Sequence, residues 1–136
     1  MRRNHGRAVP TFIAQALVGE PLTVQGTGTQ SRSLCFVEDM VEGFWRLLGS
    51  GEQDPVNLGN PEEVRVLELA EAVREAAGSN SEIVFIDRPV DDPEVRCPDI
   101  TVARERLGWE PQVPLMDGLT CTLAWAREAC GGAPAR

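Results

Sequence analysis

Leu22-Thr23-Val24-Gln25-Gly26-Thr27-Gly28-Thr29-Gln30-Ser31-Arg32-Ser33-Leu34-Cys35-Phe36-Val37 is the stretch on which the fold class turns. Residues 22–25 read as a short strand, 26–29 as a glycine-rich turn, and 33–37 as a second strand. Glycines at this spacing invite a dinucleotide-binding reading. That reading needs a helix directly after the glycines, because the helix N-terminus carries the pyrophosphate. An apolar strand follows here instead. The turn therefore joins two strands, as a hairpin or a wide loop.

Working outward, Phe12, Ile13, Ala16 and Leu17 recur at helical spacing. Pro10 suits the first turn of that helix, where its missing N–H is not needed, and Gly19 stops it. On the other side, Glu38 and Asp39 open a helix with charge that favours its N-terminus. Val41, Phe44, Trp45 and Leu48 form its apolar face. Residues 55–60 read as a short strand leaving into a turn. Val66, Leu69, Ala70, Val73 and Ala77 mark the buried side of a third helix, with Glu68, Glu71 and Glu75 opposite. Residues 82–86 are the strongest strand, built on Ile83-Val84-Phe85-Ile86. Pro89, Pro93 and Pro98 keep 87–98 an irregular loop. Helices at 100–107 and 115–130 follow, and 131–136 reads as a disordered tail. The fold class is α+β, helix-rich with short strands. Such strands suit the edge of a sheet located elsewhere.

A chain of 136 residues is one domain's worth. Its apolar runs are too short to cross a membrane, and no apolar segment follows the basic start, so the expected location is cytoplasmic. A net charge of −8 argues against a nucleic-acid partner. All 13 basic side chains are arginines; there is no Lys, no Tyr and one His. A lysine Schiff base and a tyrosine acid–base are thereby excluded. The four cysteines, Cys35, Cys97, Cys121 and Cys130, show no C-x-x-C spacing, so a zinc site has no support. Cys121 and Cys130 fall on opposite faces of one helix, and all four read as reduced thiols.

Arg32, after the turn, and Arg96, in the proline-rich loop, are candidates for gripping phosphate oxygens in bidentate geometry. Composition alone favours an acidic surface partner for each, since Asp and Glu are plentiful. Glu38, Asp39, Asp91, Asp92 and Asp99 read as caps and solvated charges. His5 lies near the start without a nucleophile in view. Trp45, Trp109 and Trp125 read as core.

Six motifs then occur in order. They are Asn4-His5-Gly6-Arg7-Ala8-Val9-Pro10-Thr11-Phe12-Ile13, the Glu20 to Ser33 stretch, Phe36-Val37-Glu38-Asp39-Met40, and Pro55-Val56-Asn57-Leu58-Gly59-Asn60-Pro61-Glu62-Glu63. Asp91-Asp92-Pro93-Glu94-Val95-Arg96-Cys97-Pro98-Asp99-Ile100 and Leu107-Gly108-Trp109-Glu110-Pro111 complete the set. From Met1 to about Arg127 the chain resembles the C-terminal, substrate-binding part of the extended short-chain dehydrogenase/reductase family, the NAD-dependent epimerases and dehydratases of nucleotide sugars. The likeness is greatest to the UDP-glucuronate decarboxylase branch.

The resemblance implies that residues 1–130 form a nucleotide-sugar-binding lobe, the C-terminal lobe of an extended Rossmann-type enzyme, lacking the Rossmann domain. It implies a UDP-sugar as ligand. Thr23, Val24 and Gln25 would pass the nucleoside base, Arg32 and Arg96 would reach the diphosphate, and Arg7 would lie beside the nucleotide. The family holds NAD on a Gly-x-x-Gly-x-x-Gly turn and moves protons with a Tyr-x-x-x-Lys pair. Neither stands in this sequence, so no cofactor and no catalytic residue is expected on it. The expected state is a truncated lobe, inactive alone. The rival readings are a non-catalytic module that completes a separate cofactor-domain chain, or a lobe from a dTDP-glucose dehydratase or UDP-galactose epimerase relative. The Asn57 to Glu63 segment favours the decarboxylase. The family usually has an aromatic residue at Gln25, a basic one at Cys97 and a capping Ser or Thr at Arg65. Loss of such a cap costs about 1 kcal/mol.

Overall fold

Helices and short strands alternate along the computed structural model, which describes residues 7–131. The order is α1 (Ala8–Val18), β1 (Leu22–Gln25), β2 (Ser31–Ser33), α2 (Val37–Ser50), β3 (Glu63–Arg65), α3 (Val66–Ala77), β4 (Ile83–Ile86), α4 (Thr101–Leu107) and α5 (Leu115–Gly131). His5 lies outside the described residues, as does 132–136 of the expected tail; Gly131 belongs to α5.

The expected hairpin does not form. β1 pairs in parallel with β4, Leu22 opposite Ile83 through Gln25 opposite Ile86. β2 pairs antiparallel with β3, Ser31 opposite Arg65 and Ser33 opposite Glu63. The reason lies in burial. Leu22 and Val24 are fully buried, and they gain that burial by lying between the α3 crossover and the apolar β4. The glycine turn serves the same arrangement. The Gly28 and Gln30 carbonyls accept the Leu67 and Val66 N–H groups, at 3.1 and 2.9 Å, satisfying two orphan donors of α3. Gly28 has φ +75°, and a Cβ there would stand 2.8 Å from Leu67 Cβ and Val24 Cγ1. The short strands thus find partners within the chain rather than waiting for a sheet elsewhere.

Two further strand expectations fail. Strand pairing stops at Ser33, and Val37 already opens α2, so 33–37 is not a strand. Residues 55–60 have no neighbouring strand among the described residues. Their asparagines are taken up by backbone instead, Asn57 donating to the Asp99 carbonyl and Asn60 to the Leu34 carbonyl.

The main core is built from α1, β1, α3 and α5: Phe12, Ile13, Leu22, Val24, Leu69, Val73, Leu119 and Leu123 among others. A second cluster joins Ile100, Ala103 and Trp109 to Leu58 and Leu107. α2 packs with an unexpected face. Its inward residues are Asp39 and Gly43, the latter meeting the Trp109 ring at 3.0 Å from an ideal Cβ position. The apolar stripe faces out: Trp45 is 73% and Leu48 81% exposed, with Val41 and Phe44 beside them. Trp45 and Trp125 are therefore not core; Trp109 is.

Arg65 caps α3 with half a capping box. The Glu68 carboxylate accepts the Arg65 N–H at 3.1 Å, but a guanidinium has no acceptor to return to the Glu68 N–H. Arg65→Ser should restore that half and stabilise the chain by about 0.5–1 kcal/mol. A higher urea midpoint at unchanged slope checks it.

Candidate functional site

A cleft of about 950 Å³ opens between the start of α1, the outward side of β1, β2 and the 87–98 loop. That volume is at the upper end of small-molecule sites. Strand alternation fills its wall. Leu22 and Val24 point into the core, while Thr23 and Gln25 line the cleft. Of the candidates, Arg7, Thr23, Gln25, Arg32 and Arg96 all line it; Val24 does not, because its side chain is core. Val24 could meet a ligand only through its main chain.

The uncharged wall is held by two glutamines that sequence reading passed over. The Gln15 Oε1 accepts the Thr23 N–H at 3.1 Å, and its Nε2 donates to the Thr23 hydroxyl at 2.9 Å. Gln30 is 2% exposed and lines the cleft. Its Nε2 donates to the Gln25 carbonyl at 2.9 Å, which leaves its buried Oε1 without a partner. Only the alternation of Gln30 with Arg32, two residues on, could have marked it as facing the same way.

On the charged wall, Arg32 and Asp92 belong to a four-residue network with Arg88 and Glu94 behind them. Arg32 Nη1 donates to the Ser31 and Pro93 carbonyls at 2.6 and 2.9 Å, and Nη2 pairs with Asp92. Arg88 pairs with the other Asp92 oxygen at 3.1 Å and with Glu94. Asp92 is thus no solvated charge; its side chain is 17% exposed. Arg96, in contrast, has no ion-pair partner among the described residues, and Arg7 sits at the N-cap of α1.

Asp39 also departs from expectation. It is buried, and its carboxylate accepts the Gln112 and Val113 N–H groups at 3.0 and 2.9 Å. It thereby fixes the 112–114 segment, whose Val113 and Pro114 close one side of the cleft. Asp99 lies just before α4, where its carboxylate accepts the Thr101 hydroxyl and N–H, and these hydrogen bonds hold its carboxyl below the usual range. Burial, and then the Asp39 carboxylate, push the Cys35 thiol up.

The glycine turn does not fit a dinucleotide. Gly28 packs on Leu67 and Val24, and Gly26 on the stem of Arg88, 3.2 Å from an ideal Cβ position. The turn directs carbonyls to a helix N-terminus rather than N–H groups to a phosphate. Among the described residues no group of three or more His, Cys, Asp or Glu could hold a metal ion, and no helix is long and apolar enough to cross a membrane.

The chain with this helix-flanked cleft, arginines on one wall and amides on the other beside a short parallel pair, has the fold of the NAD-dependent epimerase/dehydratase family. The sequence profile described as GDP-mannose 4,6 dehydratase matches residues 2–122, and the chain belongs to that family. It is 52% identical over 119 residues to UDP-glucuronic acid decarboxylase 5 of Arabidopsis thaliana, covering 88% of this chain and 35% of that protein. To UDP-glucuronic acid decarboxylase 1 of Xenopus tropicalis it is 46% identical over 128 residues, covering 94% and 30%. The chain thus spans about a third of the length of these relatives. Among solved structures, UDP-glucose 4-epimerase from Thermotoga maritima with UDP-glucose superposes with a TM-score of 0.88 at 28% identity, over 93% of this chain and 41% of that one. UDP-glucuronic acid 4-epimerase from Bacillus cereus, in complex with UDP-glucuronic acid and NAD, gives 0.85 at 25% identity, over 91% and 40%.

The thiolate is the form that alkylates, so Cys35, half-buried and pushed up, should react more slowly than exposed Cys97 and Cys121. Iodoacetamide labelling at pH 8 with peptide mapping checks this; Cys35 labelled first would contradict it.

Proposed function

We propose that this chain forms the UDP-sugar wall of a UDP-glucuronic acid decarboxylase, with Arg96, Arg32 and Arg7 meeting the diphosphate and Thr23 and Gln25 beside the nucleoside. The observation that carries this reading is the convergence of three arginines, distant in sequence, on one cleft. A guanidinium matches phosphate oxygens in shape and stays charged at any working pH. Identity near one half to UDP-glucuronic acid decarboxylases supports that reaction over epimerisation.

The role assigned to these residues is binding and orientation, which lowers a barrier by fixing the reacting sugar in place. NAD supplies hydride chemistry where it is bound, but nothing among the described residues fits it. No Lys or Tyr is present to move a proton. The chain is therefore proposed to bind without turning over on its own.

A second reading adds a partner, and the outward stripe of α2 favours it. Val37, Val41, Phe44, Trp45 and Leu48 are exposed along one helix, more apolar surface than a free helix usually leaves to water. The partner would be a chain carrying the cofactor domain.

Titration with UDP, followed by amide NMR, tests the main reading. Shifts should cluster on β1, β2 and the 87–98 loop. Arg96→Ala should weaken binding at least about tenfold, the loss of a charge-assisted hydrogen bond. No shifts at millimolar UDP would sink the proposal.

A further inference from the structure

We infer that Asp92 is a positioning residue of the anion site: its carboxylate holds both Arg32 and the Arg96-bearing loop in the geometry that meets a diphosphate. The inference rests on the nucleotide reading above and deepens it. A carboxylate in the wall of a diphosphate cleft repels the ligand, so its place there calls for a compensating role.

Its bonding supplies one. The two Asp92 oxygens go to two different guanidiniums, Oδ1 to Arg32 and Oδ2 to Arg88. The 87–98 loop has no regular structure of its own. It is tied to β2 by the Ser31 N–H on the Glu94 carbonyl at 2.8 Å, by Arg32 on the Pro93 carbonyl, and by the Arg32–Asp92 pair. Arg88 then closes the loop on itself, donating to the Asp92 carbonyl at 2.8 Å and pairing with Glu94. The stem of Arg88 lies against Gly26, where a side chain would crowd it. Arg96 follows a few residues later on the same loop. Asp92 is the side chain that Arg32 and Arg88 share, adding to the backbone ties that hold the loop on β2.

Donor counting shows that anchoring does not disable Arg32. A guanidinium has five N–H donors. Three are taken by Ser31, Pro93 and Asp92. The Nε–H and one Nη2–H remain, enough to meet phosphate oxygens while the group stays fixed. A held arginine loses less rotamer freedom on binding than a free one.

The sign of the effect separates this role from simple competition. Removing Asp92 also removes a negative charge, which by itself strengthens anion binding. A loss of UDP affinity with uridine affinity unchanged therefore requires the positioning role. Arg88 gives an independent handle, since it does not line the cleft but holds the Asp92 carboxylate from behind.

The test is calorimetric titration of UDP and of uridine into the unaltered chain, Asp92→Ala and Arg88→Met, with thermal unfolding of each. UDP affinity should fall about tenfold in Asp92→Ala and about threefold in Arg88→Met, with uridine affinity unchanged in both. The Arg88→Met loss should persist at about 0.5 M salt, where long-range attraction is screened. UDP bound as tightly or more tightly by Asp92→Ala overturns the inference. Equal losses for uridine and UDP overturn it too, since they mark general disorder of the cleft. Should Asp92→Ala unfold, Arg88→Met decides alone, and unchanged UDP affinity there overturns the relay. An unaltered chain that binds no UDP removes the nucleotide reading and this inference together; tight binding that survives both substitutions removes only the inference.

Discussion

The parallel pairing of β1 with β4 is the constraint on which the rest of the structure depends. It seals Leu22 and Val24 under α3 and thereby turns Thr23 and Gln25 to the cleft. It also fixes where each neighbouring loop begins. β1 ends at the glycine turn that leads to Arg32, and β4 ends at the loop that carries Asp92 and Arg96. Two loops far apart in sequence start side by side because the strands before them are side by side. The Gly26 N–H on the Ile86 carbonyl, at 2.8 Å, extends the ladder to the point where they part. The cleft is the space between two chain segments leaving the same end of one strand pair, where α/β folds commonly place their ligands.

Much of this was legible in the sequence, and the exceptions share a cause. Helices were readable because each carries its own period and its own stop: Phe12, Ile13 and Ala16 before Gly19, or Val66 to Ala77 before Gly78. β1 and β4 were readable from β-favouring runs. Their pairing was not, because adjacency in sequence favours a hairpin and only the long-range burial of Leu22 and Val24 selects the parallel partner. The β3 strand at Glu63–Arg65 is exposed on both flanking residues and has no apolar pattern to announce it. Within the cleft, Arg32 and Arg96 were readable as candidate cations, although Arg32 stands on β2 rather than on a loop. Asp92, Gln15 and Gln30 were not, because their roles consist of specific partners, four to sixty residues away, that no periodicity marks.

α2 shows the same limit from another side. Its hydrophobic period is sound and the helix forms, yet the period marks an outward face. Amphipathicity reports that one side of a helix is apolar, not which surface covers it. Here the inward side is fixed by small and polar groups. Gly43 lets Trp109 approach, and Asp39 ties down the 112–114 segment while its own carbonyl accepts the Trp109 indole N–H at 2.9 Å. Specific hydrogen bonds and one close approach orient the helix against its own hydrophobic stripe.

The glycine turn carries the last step. A glycine-rich turn can face a ligand with its N–H groups, making an anion cradle, or face a helix with its carbonyls, making a cap. The sequence of residues 26–30 fits either. In this fold the helix N-terminus that would help bind an anion, that of α3, is already occupied by the Gly28 and Gln30 carbonyls. The capacity of this turn and of α3 for holding negative charge is thus used internally, which leaves the cleft's positive potential to its arginine side chains and to the start of α1. That is a physical reason for the proposed diphosphate site to rely on arginine side chains, Arg32 from β2 and Arg96 from the 87–98 loop. It also explains why Arg32 is anchored by Asp92, since a long side chain, unlike a backbone N–H, is not held in place by the element that carries it.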